Sequence, residues 1–164
     1  MLNTLKFLLA LAVAILLMLC FRALAFTVYV VEGTGLQPVY NPGDHVLVNR
    51  WSYGLRVGGD GGLFSYGRLG RQPVRRGDLV AFENPENTSE VLICRCRALP
   101  GDTVEHEGLT LTVPSLSNCD DGDYYWLEAI GPDNVIDSRC LGFIPEELII
   151  GKATDIVYRI PLWD

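Results

Sequence analysis

From residue 7 to residue 21 the chain runs without a charge (FLLALAVAILLMLCF), closed in by Lys6 and Arg22 and extended by an apolar tail at residues 23–26. Two fates fit such a run. A spanning helix needs about 20 apolar residues, which residues 2–26 supply when Lys6 and Arg22 snorkel toward the headgroups. The other is a cleaved secretory signal, because Ala23, Leu24 and Ala25 have the small-x-small form of a cleavage site behind a short apolar core. Either fate sends residue 27 onward across a membrane. Lys6 and the amino terminus favour an N-inside orientation, and Arg22 on the far side counts against it.

Past residue 26 the pattern changes to short β-branched and aromatic runs cut by Gly, Pro, Asn and Asp. Residues 27–31 (TVYVV), 45–49 (HVLVN), 78–82 (DLVAF), 91–98 (VLICRCRA), 109–113 (LTLTV), 124–128 and 156–160 read as strands. That spacing marks a mainly β domain, not a series of βαβ units. Residues 54–76, rich in Gly and Arg, read as a long loop or hairpin. Pro145, Glu146 and Glu147 open the one short helix expected beyond the N-terminal segment. The chain thus divides into residues 1–26 and one β domain at 27–164, a length that suits a single core.

A formal net charge of -7 argues against a nucleic-acid partner, since phosphate recognition needs Lys and Arg concentrated on one face. The arginines that do gather, Arg56, Arg68, Arg71, Arg75 and Arg76, read as a solvated loop in preference to a lipid or partner patch. Of the five cysteines, Cys20 lies in the apolar run as a small hydrophobe. Outside the cytoplasm Cys119 can bridge to Cys140, although spacing alone leaves connectivity open. Cys94 and Cys96 share one face of a strand, which suits a metal clip, a redox pair or plain core filling. With His45 and His106 isolated and no second Cys/His pair, core filling is favoured, and no metal or other cofactor is expected.

Four segments, in order, resemble the boxes of type I signal peptidases, the membrane-bound serine/lysine proteases that remove signal peptides from exported proteins. The first runs from Gly33, Thr34, Gly35, Leu36, Gln37 and Pro38 to Pro42, Gly43 and Asp44, and on through Val46, Leu47, Val48, Asn49 and Arg50. Trp51, Ser52, Tyr53 and Gly54 form the second. The third joins Arg76, Gly77 and Asp78 to Ile93, Cys94 and Arg95 and to Leu99, Pro100, Gly101 and Asp102. The fourth holds Asp133, Asn134, Val135, Ile136, Asp137, Ser138 and Arg139 and ends at Gly151, Lys152 and Ala153. Boxes in family order behind an apolar segment are far more specific than any one of them. The resemblance implies coiled antiparallel β-sheets, an uncleaved single-pass transmembrane helix at residues 1–26, and a β domain on the outer face of a bacterial cytoplasmic membrane.

In that family a serine hydroxyl attacks the scissile carbonyl, and a lysine kept neutral by desolvation takes its proton. Carried over residue by residue, the nucleophile falls on Gly35 and the lysine on Cys94. The serine that supports the lysine falls on Val135, and the loop serine that helps form the oxyanion hole falls on Gly33. Pro38, Asp44, Arg95, Asp137 and Arg139 still match, and the only lysines are Lys6 and Lys152. The resemblance therefore implies a scaffold without its dyad. Its groove, at Gly33, Thr34, Leu36, Gln37 and Pro38, would hold exported or surface polypeptides by strand addition. The protein would serve as a chaperone, an assembly factor or a partner of an active signal peptidase, with Asp137 and Arg139 as structural supports. The alternative is an active signal peptidase with a displaced nucleophile. Thr34 is one candidate, although a one-residue shift in an extended loop turns its hydroxyl away. Cys94 activated by His45 or His106 is the other.

Overall fold

The structure, a computed structural model, describes residues 2–32, 34–58, 66–119, 122–131 and 136–159. In the first helix, α1 (Leu2–Ala25), side chains are described at residues 4–19 and 25. Leu- and Ala-rich composition favours that helix, and every described side chain from 4 to 19 is exposed. Among the described residues no helix is long and apolar enough to cross a membrane. The helix passes without a loop into β1 (Phe26–Val30), and the Arg50 N–H donates to the Ala25 carbonyl at 2.9 Å.

The domain is built from β2 (His45–Asn49), β3 (Leu55–Val57), β4 (Gly67–Leu69), β5 (Leu79–Asn84), β6 (Asn87–Ala98), β7 (Thr103–His106), β8 (Leu109–Thr112) and β9 (Tyr124–Glu128). After these come α2 (Ser138–Leu141), β10 (Ile144–Pro145), a 3-10 turn at Glu146–Leu148 and β11 (Ile149–Tyr158). Seven strands form one antiparallel sheet in the order β1-β2-β11-β5-β6-β9-β10, and β3–β4 and β7–β8 are separate ribbons. The mainly β, antiparallel expectation therefore holds.

Alternation sorts the side chains onto two faces. Ala81 and the half-buried Val91 and Ile93 join Val31, Leu36, Tyr40, Val46 and Val48 in one core. Their chain neighbours Val80, Phe82, Cys94 and Cys96 join Tyr53, Leu127, Ile144 and Ile149 in the other. A fully buried side chain such as Phe82 or Ile149 contributes about 1.5–3 kcal/mol.

Within residues 54–76, β3 and β4 pair antiparallel, with Leu55 opposite Leu69 and Val57 opposite Gly67, and residues 59–65 lie outside the described residues. The arginine run is only in part the solvated loop its composition suggests: Arg71, Arg75 and Arg76 are exposed, but Arg56 and Arg68 are not. The Arg68 side chain is only 2% exposed. It donates to the carbonyls of Gly54 at 3.2 Å and Glu146 at 3.0 Å, and also to that of Ile149. Arg71 bridges Asp123 and Glu146 at 2.6 Å each, while Arg56 pairs with Glu83 and Arg76 with Asp102. The β3–β4 ribbon lies over the start of β11, where buried carbonyls need donors, and a planar guanidinium supplies several at once.

The bridge from Cys119 to Cys140 does not form, and Cys140 is an exposed free thiol. Each cysteine is held in a turn of its own: the Cys119 N–H donates to Ser115 at 2.8 Å and the Cys140 N–H to Asp137 at 2.9 Å.

Candidate functional site

The loop after β1 folds on itself. The Gln37 N–H donates to the Thr34 carbonyl at 3.1 Å, and the N–H groups of Val39 and Tyr40 reach the Leu36 carbonyl at 3.0 and 3.1 Å. Leu36 is buried in the core, whereas Gln37 and Pro38 point outward and are exposed. Asp44 closes the loop. Its carboxylate accepts the Asn41 N–H at 2.9 Å and the Arg159 guanidinium at 3.2 Å, and these bonds hold its pKa below the usual carboxylate range.

Gly35 is fixed through its carbonyl, which accepts from the N–H groups of Ile130 at 2.8 Å and Gly131 at 2.7 Å. Residue 131 has no room for a side chain. A Cβ there would stand 2.6 Å from the Thr34 carbonyl oxygen and 3.2 Å from the Gly35 Cα, both of them backbone atoms that cannot swing aside. Gly131→Ala is therefore expected to push the loop off its two donors. The cost is about 1–3 kcal/mol of overpacking, read by urea unfolding, with hydrogen-exchange protection lost first at the amides of residues 130 and 131.

Beside this loop lies an open cavity of about 710 Å³. One wall is the end of β1 with Tyr29, Val31 and Glu32, followed by Thr34, Gly35 and Leu36. The other is β6 from Asn87 through Ser89 to Ile93, with Ile136 beside it. In the sheet these two strands are separated by β2, β11 and β5, so the sheet curls to bring them to one space. Both present open edges. Among the described residues β1 ends the sheet, and β6 pairs with β9 only at residues 95–98, which leaves residues 87–94 bonded on the β5 side alone. Every pairing from β1 through β2, β11 and β5 to β6 is antiparallel, so β1 and β6 run in the same direction along this seam.

The two positions matched to the family's dyad do not meet here. Gly35 lines the seam, but Cys94 does not. Ile93 takes the seam face of β6, and Cys94, 1% exposed, faces the opposite core beside Val80. Burial first, and then the Asp137 carboxylate, push the Cys94 thiol up to about 12, so at neutral pH it stays protonated and a poor nucleophile. Cys96 is equally buried and its thiol is likewise pushed up to about 12. The histidines are engaged elsewhere. His45 sits 3.2 Å from the Gly43 carbonyl and edge-on to Tyr158, and His106 stacks near Trp126. Lys152 is 2.6 Å from Asp78, which also accepts the Tyr53 hydroxyl.

Asp137 is fully buried. Its carboxylate accepts the N–H groups of Ala129 and Arg139, each at 2.9 Å, and the Arg139 guanidinium at 2.7 Å. Ser138 completes the lock by accepting the Leu127 N–H at 2.9 Å. Gly33 and Val135 lie outside the described residues. No lysine or histidine lines the seam, and among the described residues no cluster of three His, Cys, Asp or Glu side chains is placed to hold a metal ion. The seam walls at Tyr29, Glu32, Val91, Ile93 and Ile136 escaped the sequence reading. Only the alternation of Val91 and Ile93 signalled part of them.

The described residues form a mainly β domain of antiparallel sheets, with a strand-edged seam beside the first-box loop. Residues 4–117 match the family described as "Signal peptidase, peptidase S26", and the chain belongs to that family. The match ends before the fourth box. The chain is similar to the mitochondrial inner membrane protease subunit 2 of Saccharomyces cerevisiae, at 30% identity over 133 residues, covering 81% of this chain and 68% of the relative. The protein of the same name in Mus musculus is 28% identical over 141 residues, with 81% and 67% covered. Signal peptidase I V of Bacillus subtilis is 25% identical over 173 residues, with 87% and 92% covered. In Danio rerio, the mitochondrial subunit is covered over 64% of its length, so the chain spans about two thirds of these eukaryotic relatives. They correct the expectation of a bacterial cytoplasmic membrane, because they are eukaryotic proteins named for the mitochondrial inner membrane.

Proposed function

We propose that this chain is a signal peptidase scaffold without catalysis, and that its β1–β6 seam binds an extended polypeptide. The observation that carries this reading is the pairing of two open strand edges with a vacant reaction centre. Gly35 offers no heteroatom, and Cys94 points into the far core. A strand laid between β1 and β6 would find backbone donors and acceptors on both sides, and its alternate side chains would meet Leu36, Val91 and Ile93. In the family's pattern, Asp137 and Arg139 support the strand behind that seam, and Gly33 and Val135 complete the altered centre.

The occupants best suited to this role are exported or surface polypeptides, held for assembly or presented to an active signal peptidase. The relatives' names, as protease subunits, support such a partner. We further propose that α1 anchors the chain in a membrane. Apart from Thr4 and Lys6, its described side chains from 4 to 19 are apolar, and all of them are exposed.

A second reading keeps the protein an endopeptidase, because Thr34, which carries a hydroxyl, lines the seam. One experiment separates the two: a fluorescent synthetic precursor peptide incubated with the full chain in nonionic detergent. Saturable binding without cleavage is expected. Ile136→Arg, at a 42% exposed position on the wall, should abolish binding and leave the unfolding midpoint unchanged. Cleavage that disappears in Thr34→Ala or Cys94→Ala would establish the enzyme instead, and absence of binding would overturn the proposal.

A further inference from the structure

The polar lining of the seam is one-signed. Glu32 stands at the end of β1 and Glu90 on β6, so each wall carries one carboxylate, and among the described residues no Lys or Arg lines the cavity. Most of the molecule's partly buried carboxylates are neutralised by its arginines: Glu83 by Arg56, Asp102 by Arg76, Glu146 by Arg71 and Asp44 by Arg159. Glu32 and Glu90 enter no such ion pair among the described residues. Glu90 accepts only the neutral Asn84 amide, at 2.8 Å. Between them the walls are apolar, with Leu36, Val91, Ile93 and Ile136.

Resting on the polypeptide-binding reading above, we infer that the seam selects extended segments that carry a Lys or Arg among alternating apolar residues. A strand bound there displaces water from both carboxylates, which strengthens their attraction for a cation and their repulsion of an acidic residue. Apolar neighbours at alternate positions meet the wall, and the long stem of Lys or Arg lies along it while its head reaches an opposing glutamate. Because the carboxylates remain open to solvent, the preference is modest, about three- to tenfold, and weakens with added salt.

The test compares three labelled synthetic peptides of alternating Val and Ser, identical except for Lys, Gln or Glu at the central position. Each is titrated into the full chain in nonionic detergent at low salt and followed by fluorescence anisotropy. The Lys peptide should bind about fivefold more tightly than the Gln peptide, with the Glu peptide weakest. Glu32→Gln and Glu90→Gln should each narrow that ratio and together erase it. Glu105→Gln, an exposed position on β7, makes the same change in net charge and should leave the ratio intact. Equal binding of all three peptides, or a ratio that survives in the double variant, would overturn the charge selectivity and leave polypeptide binding standing. Failure of every peptide to bind would remove both.

Discussion

Cys94→Lys, which places the family's lysine back at its matched position, is expected to lower the unfolding free energy by about 4 kcal/mol at pH 7. The Cys94 side chain is 1% exposed, packed in the core with Val80, Phe82 and Leu127. A lysine stem overfills that space, at about 1–3 kcal/mol, and its ammonium group leaves water for an apolar site. Asp137 is the nearest compensating charge, but its oxygens are already taken by Arg139 and the Ala129 N–H. Desolvation will therefore depress the pKa of the introduced lysine below its unfolded value of about 10.4. Between the two values the unfolded chain binds the extra proton. The deficit from ionisation is thus full below the folded pKa, fades as the pH rises between the two values and is gone above the unfolded one. Urea unfolding at pH 7 and pH 9.5 measures it, with Cys94→Ala as a control expected to cost only about 1 kcal/mol. A variant as stable as the wild type at pH 7 would mean that residue 94 faces the seam. It follows that Gly35→Ser combined with Cys94→Lys is not expected to yield a protease, because the lysine would enter the wrong face of β6.

How far the sequence disclosed this arrangement depended on the range of the interactions. β1 and β2 were legible because alternation over a few residues is set by one buried face, as with Val46 and Val48 on β2. The shared face of Cys94 and Cys96 was legible for the same reason, but not which core it meets. That depends on the curl of a sheet in which three strands lie between β1 and β6. The burial of Arg68 was hidden likewise: an arginine in a Gly-rich run reads as solvent-facing until the carbonyls of Glu146 and Ile149 are brought against it. Gly131 sits outside every box, and its need to be glycine comes from the Thr34 and Gly35 backbone nearly a hundred positions earlier. Glu32 and Glu90 face one cavity for the same topological reason.

Asp137→Ala carries the second large effect, a loss of about 3 kcal/mol at neutral pH. The carboxylate, itself fully buried, caps α2 through the Arg139 N–H and reaches across to the Ala129 N–H that follows β9. Removing it leaves both donors without an acceptor, at about 1–3 kcal/mol each, and deletes the N-cap of a helix only four residues long. The Arg139 pair adds less, since the arginine side chain is 44% exposed and its charge is screened. Burial raises the Asp137 pKa, but the hydrogen bonds from Arg139 and Ala129 outweigh it and hold the carboxyl below the usual range. A depressed folded pKa means stability that is present above the unfolded value of about 3.9 and lost as the pH falls through the folded one. The gap between the wild type and Asp137→Asn, which cannot ionise, should therefore be widest at pH 7 and narrow below pH 4, as denaturant unfolding at pH 7 and pH 3 would show. Ile136 immediately precedes this lock and lines the seam. Peptide affinity should therefore fall with stability in Asp137→Ala and recover in part in Asp137→Asn, whose amide oxygen can still accept one of the two N–H groups. Equal stability of the three proteins at pH 7 would show that the buried carboxylate is not what holds residues 136–139 against β9.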